Sequence, residues 1–193
     1  LVERLREISA TAIKIGFRSP SSGIAAPAVL ERGDADLVIG AAQRLPGTLK
    51  ARKLFDERYV VIQRKQHPRG TGAFDLDTYC RLDHALVSPI DGGLRGFIDD
   101  QLETIGRQRK VVLSVPQFLL APMIVERTEV ICSLPERFAR RFTDRVDVFE
   151  LPLPLPTFSM FAAWHPRSQT DAGHIWLREQ LMELVDRNKG CVL

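Results

Sequence analysis

Ser88 and Gln117 are the polar side chains best placed to hold a small molecule. Ser88 opens a loop, Ser88-Pro89-Ile90-Asp91 leading into Gly92-Gly93-Leu94-Arg95-Gly96, that follows a short apolar run at 84–87. Gln117 follows Pro116 after a second apolar run at 111–115. A hydroxyl and a carboxamide can each donate and accept hydrogen bonds. Ile90 and Phe118, beside them in the sequence, could pack on the apolar body of a ligand. Apolar walls with a few placed polar groups make a small-molecule site, and a small organic acid fits this mixture. Gln117 is also predicted to lie in the first turn of a helix over 117–126, where unpaired N–H groups and the helix dipole favour an anion. Each residue has a plainer reading too: Ser88 satisfies a turn, Gln117 caps a surface helix, and Phe118 belongs to the core.

No set of residues is grouped to break a bond. There is no G-x-S-x-G, no H-E-x-x-H and no Walker-type loop. The run Gly92 to Gly96 lacks the G-x-G-x-x-G spacing of a dinucleotide turn. Asp99 and Asp100 are helix neighbours that point different ways and read as a polar face. His67 and His165 each precede a proline and read as strand-end residues, too isolated for a metal site. Cys80, Cys132 and Cys191 are odd in number and form no CxxC, so neither a disulfide framework nor a zinc site is expected. Cys132, in an apolar run, reads as a core thiol. The terminal Cys191-Val192-Leu193 is one residue short of a prenylation signal.

The elements that must position these residues alternate between strand and helix. Strands are predicted at 12–17, 36–39, 49–54, 59–64, 84–87, 111–115, 130–133, 146–151 and 158–164. A turn is expected at 55–57. Helices are predicted at 23–32, 75–81, 97–105, 117–126 and 135–142, with a last one from Asp171. Such alternation argues an α/β domain built on a mostly parallel sheet. Ligands bind such sheets beyond the carboxyl ends of the strands, which adds Gly40 and Ala41, after strand 36–39, to the candidate positions. The Gly/Pro loop at 68–74 and the stiff run Leu151-Pro152-Leu153-Pro154-Leu155-Pro156 are the two expected boundaries. They divide the chain into a first lobe at 1–64, a second at 65–157, and a return to the first at 158–193, with 59–64 and 158–164 as crossing strands.

Bulk composition narrows the class. With 193 residues, 45% hydrophobic and 26% charged, the chain is long enough for a real core without staples. A net charge of +3 gives no footprint of a nucleic-acid binder. The basic runs Arg64-Lys65, Arg107-Gln108-Arg109-Lys110 and 137–145 read as solvated faces. No segment reaches the length of a membrane span, and the cysteine usage reads as cytoplasmic. Residues 1–8 have helical spacing without a cap, as if a helix were met midway.

Leu30-Glu31-Arg32-Gly33-Asp34-Ala35-Asp36-Leu37-Val38-Ile39-Gly40 resembles the L-x-x-G-x-x-D-L-x-I-G stretch of the effector domains of LysR-type transcriptional regulators. Further similar pieces follow in order: 54–60 with His67-Pro68, Val87-Ser88-Pro89, Gly96-Phe97-Ile98-Asp99, Val115 to Pro122, Leu134 to Arg137, and Leu155-Pro156 to Trp164-His165-Pro166, closed by 176–181. The resemblance runs over nearly the whole chain. It implies a two-lobed fold like the type II periplasmic binding proteins, with a ligand cleft between the lobes. It also implies an effector-sensing role without catalysis or cofactor, and a homodimer or tetramer in which the helix at 23–32 meets the one at 97–105 of another copy. DNA would be contacted only through a winged helix-turn-helix domain upstream, absent from this chain along with the first strand of the first lobe. The same fold would serve a solute-binding protein of a transport system, or an enzyme acting on a small acid.

Overall fold

A strand buried on both faces reads as a continuous apolar run, and Tyr59–Arg64 is one, with four consecutive buried residues from Val60 to Gln63. Its residues enter both cores of the larger part of the protein. The protein is represented by a computed structural model that describes residues 14–18, 26–41, 47–88 and 92–188. In chain order the described elements are α1 (Ala26–Arg32), β1 (Val38–Ala41), β2 (Lys50–Glu57), β3 (Tyr59–Arg64), α2 (Leu76–Arg81), β4 (Asp83–Val87) and α3 (Phe97–Thr104). There follow β5 (Lys110–Val115), α4 (Leu120–Val125), β6 (Ile131–Pro135), α5 (Glu136–Ala139), β7 (Val146–Glu150), β8 (Phe158–Trp164) and α6 (Ala172–Asn188). Among the described residues no helix is long and apolar enough to cross a membrane.

The chain divides into two units, 1–56 with 158–193, and 57–157. In the first, three strands lie in the order β1-β8-β2, with β1 antiparallel to β8. Leu30, Leu49 and Ala163 form one small core and Leu54, Ala162 and Leu181 another. The helix α1 ends where its sequence says it should. Asp34 N–H reaches back to Val29 O, 2.9 Å, across Gly33 at φ +76°, the six-to-one closure of a glycine-terminated helix. The Arg167 guanidinium takes the last carbonyls, donating to Leu30 O and Glu31 O at 2.7 Å each. A side chain at position 33 would meet left-handed strain as well as Arg167 Nη2 at 3.0 Å. We therefore expect Gly33→Ala to cost about 1–2 kcal/mol, read from urea denaturation; an unchanged midpoint would refute the left-handed cap.

In the second unit five strands lie in the order β5-β4-β6-β3-β7. β4 is parallel to β5 and β6, whereas β3 is antiparallel to β6 and β7. Four strands thus run one way and β3, next to the edge strand β7, runs against them, so the sheet is mostly parallel with one antiparallel strand. The alternation along β3 separates two cores, one around Val60, Ile62, Ala85, Cys132 and Leu134, the other around Val61, Tyr79, Ile98, Leu102 and Ile131. Cys132 is fully buried, and burial pushes its thiol up to about 12.

Several predicted elements are shifted. Residues 14–18 carry no strand, and Phe17 is exposed, so the alternation there finds no face to cover; residues 12–13 lie outside the described ones. The expected turn at 55–57 is strand, with only Arg58 between β2 and β3. Its acidic pair is used internally. Asp56 accepts from Ser159 Oγ at 2.6 Å, and Glu57, buried, accepts from Arg58 N–H at 2.9 Å. β3, expected as a crossing strand, pairs with β6 and β7. Residues 151–157, the Leu-Pro run included, form neither helix nor strand.

Candidate functional site

The carboxyl ends of the parallel strands β4 and β5 lie side by side, with Val87 in register with Val115. Ser88 extends that pairing by one step, its N–H donating to Val115 O at 2.9 Å. This places Ser88 at the end of one strand and Pro116-Gln117 at the end of its neighbour. The ladder therefore puts these two predicted residues at adjoining strand ends. Ser88 is half-buried and Gln117 exposed.

Gln117 is not in the helix predicted for it. α4 begins three residues later, at Leu120, and is six residues long. Residues 117–119 form a lead-in turn, with Leu120 N–H donating to Gln117 O and Ala121 N–H to Phe118 O, each at 3.2 Å. Phe118, Leu119 and Leu120 offer no capping side chain, and position 119 has none bonded. Gln117 therefore has no helix dipole to favour an anion and offers its carboxamide alone.

Phe118 is divided between the two roles foreseen for it. Its ring meets Phe138 edge-on at 5.8 Å, yet 37% of the residue is exposed, alongside Leu119 at 59%. Gly40 and Ala41 close β1 in the first unit, opposite Phe161 and Met160. Ile90 lies outside the described residues.

The histidines expected at strand ends do structural work. His67 donates from Nε2 to Glu129 O at 2.9 Å and accepts Arg69 N–H at Nδ1, 3.1 Å. His165 accepts Arg167 N–H at Nδ1, 3.2 Å. Among the described residues no three His, Cys, Asp or Glu side chains gather to hold a metal.

Two features escaped the sequence reading. Arg109 was placed in a solvated basic run, and Asp99 on a polar face; instead they form a buried pair. Arg109 donates from Nε to Asp99 Oδ1 at 2.7 Å and from Nη2 to Oδ2 at 2.9 Å. Asp99 Oδ2 also accepts Gly96 N–H at 2.8 Å, which fixes the residue just ahead of α3. The Gly96-x-x-Asp99 spacing ahead of an amphipathic run is the half of a capping box that could have signalled this. The second feature surrounds Arg58, whose guanidinium meets Glu136 and Glu150. Desolvation raises the carboxyl of neighbouring Glu57, offset in part by the backbone N–H groups of Arg58 and Arg137. At Glu136 and Glu150 the hydrogen bonds from Arg58 come first and hold both carboxyls below the usual range.

Known proteins resemble this chain in sequence and in architecture. The family model for the LysR substrate binding domain matches residues 21–186. The HTH-type transcriptional activator NagR of a Ralstonia species is 33% identical over 157 residues, covering 80% of this chain and 52% of that protein. The HTH-type transcriptional activator NahR of Pseudomonas putida is 29% identical over 157 residues, with the same coverage, 80% and 52%. The chain spans about half the length of these curated relatives. Among solved structures, the regulatory domain of MexT, a transcriptional activator in Pseudomonas aeruginosa, matches with a TM-score of 0.70 at 29% identity, covering 81% of this chain and 76% of that one. The fold is the type II periplasmic-binding-protein-like α/β fold that the resemblance implies. With its strand order, its paired strand ends and a family match running over residues 21–186, the chain belongs to the LysR substrate-binding domain family.

Proposed function

We propose that this chain is the effector-sensing domain of a LysR-type transcription factor and binds a small anionic or aromatic metabolite at the carboxyl ends of β4 and β5. Ser88 and Gln117 supply the hydrogen bonds, and Phe118 and Ile90 the apolar contact. The observation that carries this reading is the step of ladder from Ser88 N–H to Val115 O. It sets a hydroxyl and a carboxamide on neighbouring strand ends, next to a partly exposed phenyl ring. Parallel strand ends are where such sheets bind ligands, and mixed apolar and polar walls suit a small metabolite.

The proposed role is regulatory rather than catalytic. The ligand would act by favouring one conformational state over another, which it can do only to the extent that it binds that state better. The proposed partners are further copies of the chain, as a homodimer or tetramer, and DNA through a helix-turn-helix domain of the full-length protein, in the cytoplasm.

A thermal-shift screen against small carboxylic acids and aromatic metabolites tests the reading. A ligand at ~100 times its Kd stabilises by roughly 2.7 kcal/mol, which at ~2–4 °C per kcal/mol raises the midpoint on the order of 5–10 °C. The shift should fall by more than half in Ser88→Ala and in Gln117→Ala. A hit that both variants keep in full places the ligand elsewhere and sinks this assignment.

A further inference from the structure

A recess of about 230 Å3 lies in the second unit beside the start of β3 and the end of β7. It is lined by Arg58, Tyr59 and Glu150, and by the connector leucines Leu151, Leu153 and Leu155. The volume is below the ~300–1,000 Å3 typical of drug-sized pockets, so it suits a ligand of few heavy atoms. The leucines share its lining with Tyr59, Pro154, Thr157, one cation and one carboxylate.

The two carboxylates on Arg58 differ in standing. Glu136 takes Nε at 2.5 Å and Nη2 at 2.9 Å. Its side chain is 17% exposed and is also held by Arg140. It is a built-in partner. The opposite edge of the guanidinium, Nη1 with Nη2, meets Glu150, with Nη2 to Oε1 at 2.8 Å. The Glu150 side chain is 70% exposed, so solvent and salt screen this pair more than the pair with Glu136. Glu150 is the partner that can be exchanged. Charge points the same way. Arg58, Arg140, Glu136 and Glu150 sum to zero, so when Glu150 swings outward the remaining three carry a single positive charge. A planar guanidinium edge so vacated takes a carboxylate in two parallel hydrogen bonds.

We propose that this recess is a second ligand site, for a small aliphatic monocarboxylate that displaces Glu150 from Arg58 and lays its chain on Leu151, Leu153 and Leu155. Glu150 acts as an internal stand-in for the ligand's carboxylate and sets the concentration at which the site fills. The site uses neither Ser88 nor Gln117, so it stands or falls independently of the proposed function.

The test is a titration of the 193-residue protein with 4-methylpentanoate, followed by the methyl NMR signals of the leucines. The signals of Leu151, Leu153 and Leu155 should move with saturation. Glu150→Gln, which replaces a charged competitor by a neutral one, should tighten the apparent Kd at least threefold. The neutral analogue 4-methylpentanamide should bind at least tenfold more weakly than the acid. Unmoved signals at these three leucines overturn the site. An affinity unchanged or weakened in Glu150→Gln overturns the exchange, and equal binding of acid and amide overturns the role given to Arg58.

Discussion

Arg109→Ala should destabilise the protein by about 3–5 kcal/mol, the cost of breaking a buried ion pair on one side only. The Arg109 side chain is 1% exposed and that of Asp99 13%. Besides its two bonds to Asp99, the guanidinium donates from Nη1 to Tyr79 Oη at 3.1 Å, and that oxygen lies 2.8 Å from Ser133 Oγ. One side chain thus ties α3 to α2 and, through Tyr79, to β6. Burial works against both charges. At Arg109, Asp99 and Tyr79 outweigh it and hold the pKa above the ordinary value. At Asp99, burial pushes the carboxyl up, but Arg109 and the Gly96 N–H more than offset it and keep it low. Truncating the arginine leaves that carboxylate without its cation and a phenol with one partner fewer. For a chain of this size the melting temperature should fall on the order of 10 °C, at ~2–4 °C per kcal/mol. Urea denaturation gives the free energy, and a loss under about 1 kcal/mol would show that the pair is not what holds α3. The double variant Arg109→Met with Asp99→Leu should recover part of the loss, because replacing both charges removes the stranded carboxylate.

The second large effect is a pH dependence centred on His84, which is fully buried. Its Nε2–H donates to Tyr79 O at 2.7 Å, its ring lies edge-on to the Tyr79 ring at 4.5 Å, and among the described protein atoms Nδ1 has no partner. Desolvation first, and the positive charge of Arg109 second, depress its pKa from 6.5 to about 4. A histidine depressed by folding binds its proton more readily when unfolded. Its contribution to stability is therefore complete above about 6.5, declines as pH falls, and is gone below about 4. At ~1.4 kcal/mol per pH unit the whole interval is worth on the order of 3 kcal/mol, and roughly 2 kcal/mol of it should be lost between pH 7.5 and pH 5. Comparing wild type with His84→Gln in urea at both values subtracts the titrations common to the two proteins. The wild type should lose roughly 2 kcal/mol more than the variant over that interval; equal losses would mean that His84 titrates as freely in the folded state as in the unfolded one. The two predictions are coupled, since Arg109→Ala removes one cause of the depression and should flatten the histidine's share of the slope.

Reading the elements worked where a local rule governs. Gly33 ends a helix because the left-handed conformation there suits glycine, and Asp75 starts one because its carboxylate accepts Thr78 N–H at 2.7 Å. It failed where partners distant in sequence decide. Asp56 and Glu57 look like turn residues until Ser159, and the backbone N–H of Arg137, are brought to them. Arg109 looks like one cation of a solvated run until α3 folds Asp99 onto it. Gln117 was displaced from the helix by the turn ahead of α4, a boundary error of three residues that removes an argument resting on the dipole. That Ser88 and Gln117 follow neighbouring strands was legible only as two separate strand ends, because nothing local states which strands pair.

The amino-acid sequence by itself determined the class of this protein. The alternation of apolar runs and the helix-ending glycine specify an α/β chain, since these depend on backbone preference and hydrophobic period, which act over a few residues, and the order of the motifs carries the resemblance to the LysR family. The tertiary structure alone decided which charges are buried and which strand ends meet. Arg109 finds Asp99 across 10 positions, Arg58 finds Glu150 across 92, and Ser88 finds Val115 through a parallel ladder. Desolvation makes an unpaired charge costly only once the chain has closed around it, so the partners that relieve that cost are chosen by packing, at distances along the chain that no local pattern encodes.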